Sequence, residues 1–154
     1  MSRAAEIQQL IEQIKRRDID FYERDYALSQ LVEIGLGATN DDTVSVEVLD
    51  AFRVLLAPET WHVIRRLTTK ALGGRRIVWA VDLLYDSLIS DENTSVKYYA
   101  AEGLGRIASE DAVRLLTKAL AHERKAVRVY AQNNLKMVDF WRTHYSYEQS
   151  ESTP

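Results

Sequence analysis

Apolar residues recur every three or four positions along most of the chain, and no stretch shows the strict alternation of a β-strand. In SVKYYAAEGLGRIAS, residues 95–109, the side chains of Val96, Ala100, Leu104 and Ile107 fall on one helical stripe. The same spacing predicts about eight helices, at residues 3–16, 21–34, 44–56, 59–72, 76–89, 94–108, 110–121 and 125–138. The pattern therefore predicts an all-α protein.

These helices repeat along the sequence. Tyr99 is matched by Tyr130 at an offset of 31 residues and by Tyr26 at an offset of 73, with other apolar positions in register. The helices between them repeat as well, since Val113 follows Val81 by 32 residues. A period of about 30 residues with two helices per unit predicts a short α-solenoid of about four antiparallel helix pairs.

Two glycines interrupt the stripe of residues 95–109. Gly103 and Gly105 should each cost about 1 kcal/mol relative to alanine inside a helix. Small residues let helix axes approach closely, so we expect packing between repeats to offset this cost.

The sequence VKYYAAEGLGRIASEDAVRLLTKAL, followed by KAVRVYAQNNLKMV, resembles the HEAT-like repeat first recognised in phycobilin (PBS) lyases. The resemblance covers residues 95–138 and extends more weakly to residues 65–88. It implies that Arg24, Arg65, Lys97 and Arg128 occupy the basic position that braces one repeat against the next. Because fold does not imply function, two hypotheses follow. One is a non-catalytic scaffold or adaptor that binds a partner protein. The other is a small phycobilin-lyase-like factor for the maturation or turnover of phycobiliproteins, with a bilin or phycobiliprotein as its partner.

The second helix of each repeat lines the inner, concave surface of such solenoids, so its outward positions form the predicted binding face. The indole of Trp79, beside Asp82 and Asp86, fits a hot-spot anchor with a polar rim. The alternative is that Trp79 folds back as part of the core. The predicted protein-binding residues are Trp79, Asp82, Tyr85, Asp86, Asp50, Arg114 and Lys118.

The composition offers little catalytic chemistry. The 154 residues include no cysteine, which excludes disulfides and thiolate ligands. The pair His122-Glu123 is similar to one of the paired motifs with which deoxyhypusine hydroxylase, a helical-repeat enzyme, holds two irons. A di-iron site needs several such pairs, and here a single pair lies in a predicted loop. We therefore predict no catalytic residue, metal or cofactor.

A basic stretch, WHVIRRLTTKALGGRR, supplies a second alternative function. It contains Arg65, Arg66, Lys70, Arg75 and Arg76, and a family of alkylpurine DNA glycosylases is also built from HEAT-like repeats. Phosphate binding requires such a cluster to continue along neighbouring repeats, and this one does not. Nucleic-acid binding through the outer basic patch is thus the weaker hypothesis, and the net charge of -3 does not decide it, because the electrostatic footprint would come from a local patch.

The ends of the sequence complete the predicted organisation. The amphipathic N-terminus is neither a signal peptide nor a membrane span, so a cytoplasmic location is expected. Residues 1–147 are predicted to form a single HEAT-like repeat domain, and residues 148–154 a disordered tail. Phe140, Trp141 and Tyr145 are expected either to cap the last repeat or to form a homodimer contact.

Overall fold

The computed structural model describes residues 1–36 and 44–144, and the described part contains helices and no strand. Residues 138–144 are also helical, after a turn at 136–137. The predicted fold class, an all-α short solenoid of HEAT-like helix pairs, is confirmed. No helix in these ranges is long and apolar enough to cross a bilayer. The α-helices are α1 Arg3–Lys15, α2 Phe21–Leu36, α3 Val46–Leu56, α4 His62–Gly74, α5 Val81–Ser90, α6 Thr94–Ile107, α7 Glu110–Ala119 and α8 Lys125–Leu135, with a 3₁₀ helix at Val78–Ala80.

Helix starts follow the capping residues. The side chains of Ser45, Asn93 and Ser109 accept hydrogen bonds from the first backbone amides of α3, α6 and α7. The predicted start of α4 at residue 59 is wrong, because residues 57–60 form a turn instead. In that turn the Thr60 hydroxyl donates to the Val54 carbonyl at 2.8 Å, and the Thr60 amide donates to Ala57 at 2.9 Å.

The chain divides into two compact units, Met1–Leu72 and Gly73–Pro154. In the first unit, α1 packs against both α2 and α3. Ile14, Leu28 and Phe52 supply fully buried side chains from these three helices. Burial of large apolar side chains is worth roughly 1.5–3 kcal/mol each, which explains why the apolar stripes of α1 to α3 face one another.

The second unit shows the repeat pattern most clearly. We call the helices that carry the basic bracing position, α2, α4, α6 and α8, first-type helices, and those that alternate with them second-type helices. The first-type helices α6 and α8 pack side by side, and so do the second-type helices α5 and α7. Each first-type helix also packs on second-type neighbours. A β-carbon at Gly105 would lie 3.0 Å from the Asn134 carbonyl oxygen, so α6 and α8 approach closely there. This is the close packing expected from the small-residue stripe.

The four basic residues assigned to the bracing position share one arrangement. Each donates to a backbone carbonyl of the segment just before its own helix: Arg24 Nε to Ile14 at 2.9 Å, Arg65 Nη1 to Thr60, Lys97 Nζ to Leu88 at 3.0 Å, and Arg128 Nη1 to His122 at 2.7 Å. Carbonyls at the end of a helix have no intrahelical partner, and cations there also interact favourably with the helix dipole. The basic residues therefore fix each connection from a second-type helix to the next first-type helix.

Candidate protein-binding face

The sequence repeat predicts that Trp79 lies on a regular α-helix, and this is wrong. Trp79 sits in the 3₁₀ helix Val78–Ala80, directly before α5. The side chain is half-buried and its indole Nε1 is shielded from solvent. Trp79 is therefore partly packed into the second unit and partly presented at its surface, between the two alternatives that the sequence leaves open.

The other predicted residues of the second unit occupy α5 and α7. Asp82 and Asp86 are exposed on α5, and Tyr85 is half-buried between them. Arg114 and Lys118 are exposed on the neighbouring helix α7. The Lys118 Nζ lies 5.9 Å from the centre of the Tyr85 ring, which joins the two helices through a cation–π contact. We call this surface the α5–α7 face, formed by Trp79, Asp82, Tyr85, Asp86, Arg114 and Lys118.

Charge is divided across the α5–α7 face. The α5 side presents the carboxylates of Asp82 and Asp86, whereas Arg114 and Lys118 lie on the α7 side. Arg114 is 3.5 Å from Asp111, an exposed pair of the kind that contributes little to stability. Exposed charges of this kind steer the approach of a partner, and the two aromatic rings supply apolar area.

Asp50 belongs to the first unit. It is exposed on α3 and forms an ion pair with Arg53 at 2.9 Å. The pair links adjacent turns of one helix and is typical of a solvated helix surface.

The basic stretch divides into residues with different roles. Arg65 is buried and donates to the carbonyls of Pro58 and Thr60. Arg76, in the second unit, donates to the Trp141 carbonyl at 3.3 Å. Backbone hydrogen bonds hold these two guanidinium groups of the predicted patch.

The His122-Glu123 pair lies in the connection between α7 and α8, as predicted. His122 Nδ1 accepts a hydrogen bond from the Arg124 amide at 3.0 Å, and the backbone carbonyls of both residues accept from Arg128. Across residues 1–36 and 44–144, no three His, Asp or Glu side chains converge in a way that could hold a metal ion.

A cluster around Trp141 is not predicted from the sequence. The Arg106 guanidinium lies 4.6 Å from the Trp141 ring centre and Arg76 lies 5.9 Å from it. Arg142 Nε donates to the Ala108 carbonyl at 2.8 Å, at the end of α6. Trp141 is half-buried, whereas Phe140 remains 53% exposed. The aromatic composition of this segment is visible in the sequence, but its arginine partners are not; Tyr145 lies outside the described residues.

Residues 81–135 match the family model for HEAT repeats. The match covers α5 to α8, so the HEAT-like repeat predicted from the sequence is confirmed there. No curated protein sequence matches the chain.

A solved structure, that of human deoxyhypusine hydroxylase in complex with glycerol, is similar to this chain with a TM-score of 0.63 and 23% sequence identity. The match covers 87% of this chain and 43% of the hydroxylase, so the chain spans less than half the length of that structure. At this level of identity the likeness shows a shared fold alone.

Proposed function

We propose that this chain is a non-catalytic helical-repeat scaffold that binds a partner protein on the α5–α7 face. The observation that carries the proposal is the arrangement of Trp79 and Tyr85, half-buried aromatic rings flanked by exposed charges of opposite sign. Protein interfaces are enriched in aromatic anchors surrounded by a polar rim, and most of the binding energy comes from a few such anchors.

The fold supports this role. In helical-repeat proteins, rows of equivalent side chains on successive second-type helices form extended binding surfaces. Here Asp82 and Arg114 occupy equivalent positions on α5 and α7, 32 residues apart, and both are exposed. A partner segment lying across the two helices would contact both side chains of this row together.

Site-specific photo-crosslinking tests the proposal. A photoreactive amino acid is placed at Asp82 or Arg114, or as a control at Gln132, which is exposed on the first-type helix α8. In the cells that normally produce the protein, we expect one protein species to crosslink from the first two positions and not from Gln132. Crosslinks of equal yield from all three positions, or none from Asp82 and Arg114, would overturn the proposal.

A bilin is the competing occupant, because Trp79 and Tyr85 could flank a tetrapyrrole while Arg114 pairs with a propionate. A titration of the purified protein with a free bilin, followed by visible absorbance, separates the two. A saturable red shift that Arg114→Gln removes would assign the face to a bilin and a phycobilin-lyase-like role. An unchanged spectrum leaves the protein partner.

A further inference from the structure

The N-terminal turns of α2, in the first unit, present three large aromatic residues to solvent. Phe21 is 51% exposed, Tyr22 79% and Tyr26 65%. Tyr22 and Tyr26 lie one turn apart, on the side of α2 opposite its buried residues Ala27 and Leu31. The Phe21 and Tyr22 rings meet edge to face, with centroids 5.6 Å apart. Contiguous exposed apolar surface of this kind marks an interaction site more often than a single exposed side chain does.

Three carboxylates accompany these rings along residues 20–26. Asp20 caps the helix by accepting the Glu23 amide at 2.8 Å, and Glu23 and Asp25 are exposed on the first two turns. The only basic residue among residues 20–26 is Arg24, which is buried and donates to two backbone carbonyls at the end of α1. This surface therefore combines ring faces with carboxylates and exposes no cation of its own in those residues.

Three partly exposed rings elsewhere in the chain lie under cations, whereas Tyr98 and Phe140 contact other rings. Arg17 lies 4.5 Å from the Trp61 ring centre, Arg106 lies 4.6 Å from Trp141, and Lys118 lies 5.9 Å from Tyr85. Among the described residues of the first unit, these contacts fall on Trp61 and not on the α2 rings. A positive charge over the ring face is thus one way in which this chain complements an aromatic ring, and it is the one that neighbouring carboxylates favour.

We propose that this α2 aromatic patch, formed by Phe21, Tyr22, Tyr26, Asp20, Glu23 and Asp25, binds an arginine-bearing segment of a partner protein. The guanidinium groups stack on Tyr22 and Tyr26, and the carboxylates of Glu23 and Asp25 accept their hydrogen bonds. Arginine suits the patch better than lysine because its planar, weakly hydrated head both stacks on rings and pairs with carboxylates. The inference concerns the first unit and does not depend on the α5–α7 face.

A defined peptide tests the inference. The probe is a fluorescein-labelled, alanine-rich helical peptide carrying two arginines four residues apart. Two matched peptides carry lysine or the uncharged isostere citrulline at the same positions. Fluorescence anisotropy with the full chain is expected to show affinity in the order arginine, lysine, citrulline. Binding should weaken steeply at about 0.5 M salt, where exposed charges are screened beyond a few ångströms.

Protein variants locate the binding. The double variant Tyr22→Ala/Tyr26→Ala should weaken binding of the arginine peptide about tenfold, because each exposed ring contributes roughly a two- to fivefold cation–π effect. Asp25→Asn should reduce the salt dependence. The matched control is Tyr98→Ala on α6, which removes a 45% exposed tyrosine that already contacts the Tyr99 and Tyr130 rings.

Three outcomes contradict the inference. They are equal affinity for the citrulline and arginine peptides, an equal loss of affinity in Tyr98→Ala, and no measurable binding by the native chain. Circular dichroism checks that the α2 variants remain folded, which is expected because both rings project into solvent.

Discussion

Gly103 on α6 lies so close to Gly73 at the end of α4 that a β-carbon at position 73 would come within 2.4 Å of the Gly103 Cα. No side chain fits between the two backbones. This contact, together with that of Gly105 with Asn134, accounts for two glycines inside a helix. The propensity cost of about 1 kcal/mol per glycine is offset by helix packing that a larger residue would prevent.

Gly73→Ala is expected to lower the free energy of unfolding by about 1–3 kcal/mol, because overpacking exceeds the gain in helix propensity. Gly74→Ala is the matched control, since a β-carbon there meets nothing within 4 Å. It should be neutral or stabilising by up to about 1 kcal/mol. Urea unfolding measures both variants, and equal midpoints would show that the backbones at Gly73 and Gly103 can separate without cost.

Lys97→Met is expected to destabilise the protein by about 1–3 kcal/mol, because it leaves the Leu88 carbonyl without its donor. The exposed Lys136 provides a control, and Lys136→Met should change stability by less than about 0.5 kcal/mol. Chemical denaturation at neutral pH measures the difference. Equal losses in the two variants would contradict a bracing role for Lys97.

Stability at alkaline pH gives Lys97 a second signature. Burial, aided by the nearby Arg124 charge, lowers the pKa of Lys97 below its ordinary 10.5. Between the folded pKa and 10.5 the unfolded chain binds more protons, so the contribution of this group to stability rises with pH. The advantage of the native protein over Lys97→Met should therefore grow from neutral pH toward 10.5. A constant difference would mean that the folded ammonium is not depleted.

Trp79→Ala should weaken partner binding by about 2 kcal/mol or more, with a smaller loss of folding stability because the ring is half-buried. Asp82→Lys should act on the association rate and its salt dependence, since exposed charges steer encounter. Arg66→Glu should change neither the affinity for the partner nor the association rate. Surface plasmon resonance with the crosslinked partner measures all three. Should Arg66→Glu abolish binding while Trp79→Ala unfolds the protein, the basic stretch is the binding surface and nucleic acid becomes the first candidate.

Trp141→Ala is expected to cost about 2 kcal/mol of stability, less than the 3–5 kcal/mol of a fully buried aromatic residue. Its ring is half-buried and lies beneath Arg106. Phe140→Ala should leave stability nearly unchanged because the ring is 53% exposed.

If the protein forms the homodimer predicted from its C-terminal aromatic residues, Phe140→Ala should convert it to a monomer in sedimentation experiments. A dimer that survives this substitution would place the contact elsewhere.

The helices could be predicted from the sequence because they depend on spacing along the chain, and the bracing residues because the resemblance to HEAT-like repeats implies them. The position of Trp79 could not. Arg76 adopts a left-handed backbone conformation with φ 54°, as Ala108 does 32 residues later with φ 55°. Neither is a glycine, so the sequence gives no signal of the turn that places Trp79 in a 3₁₀ helix. The cluster around Trp141 was missed for a different reason. Its hydrogen bond from Arg76 joins residues 65 positions apart, far beyond the repeat period.

The bracing hydrogen bonds have a consequence for how the chain reaches its native state. The bonds made by Arg24, Arg65, Lys97 and Arg128 each close a loop of only five to ten residues. Closing so short a loop takes roughly 10–100 ns, so no distant part of the chain has to arrive first. Every connection between repeats can therefore form on its own, and the entropy of ordering is lost in small steps. Local topology of this kind favours rapid folding and rapid reclosure after a local opening.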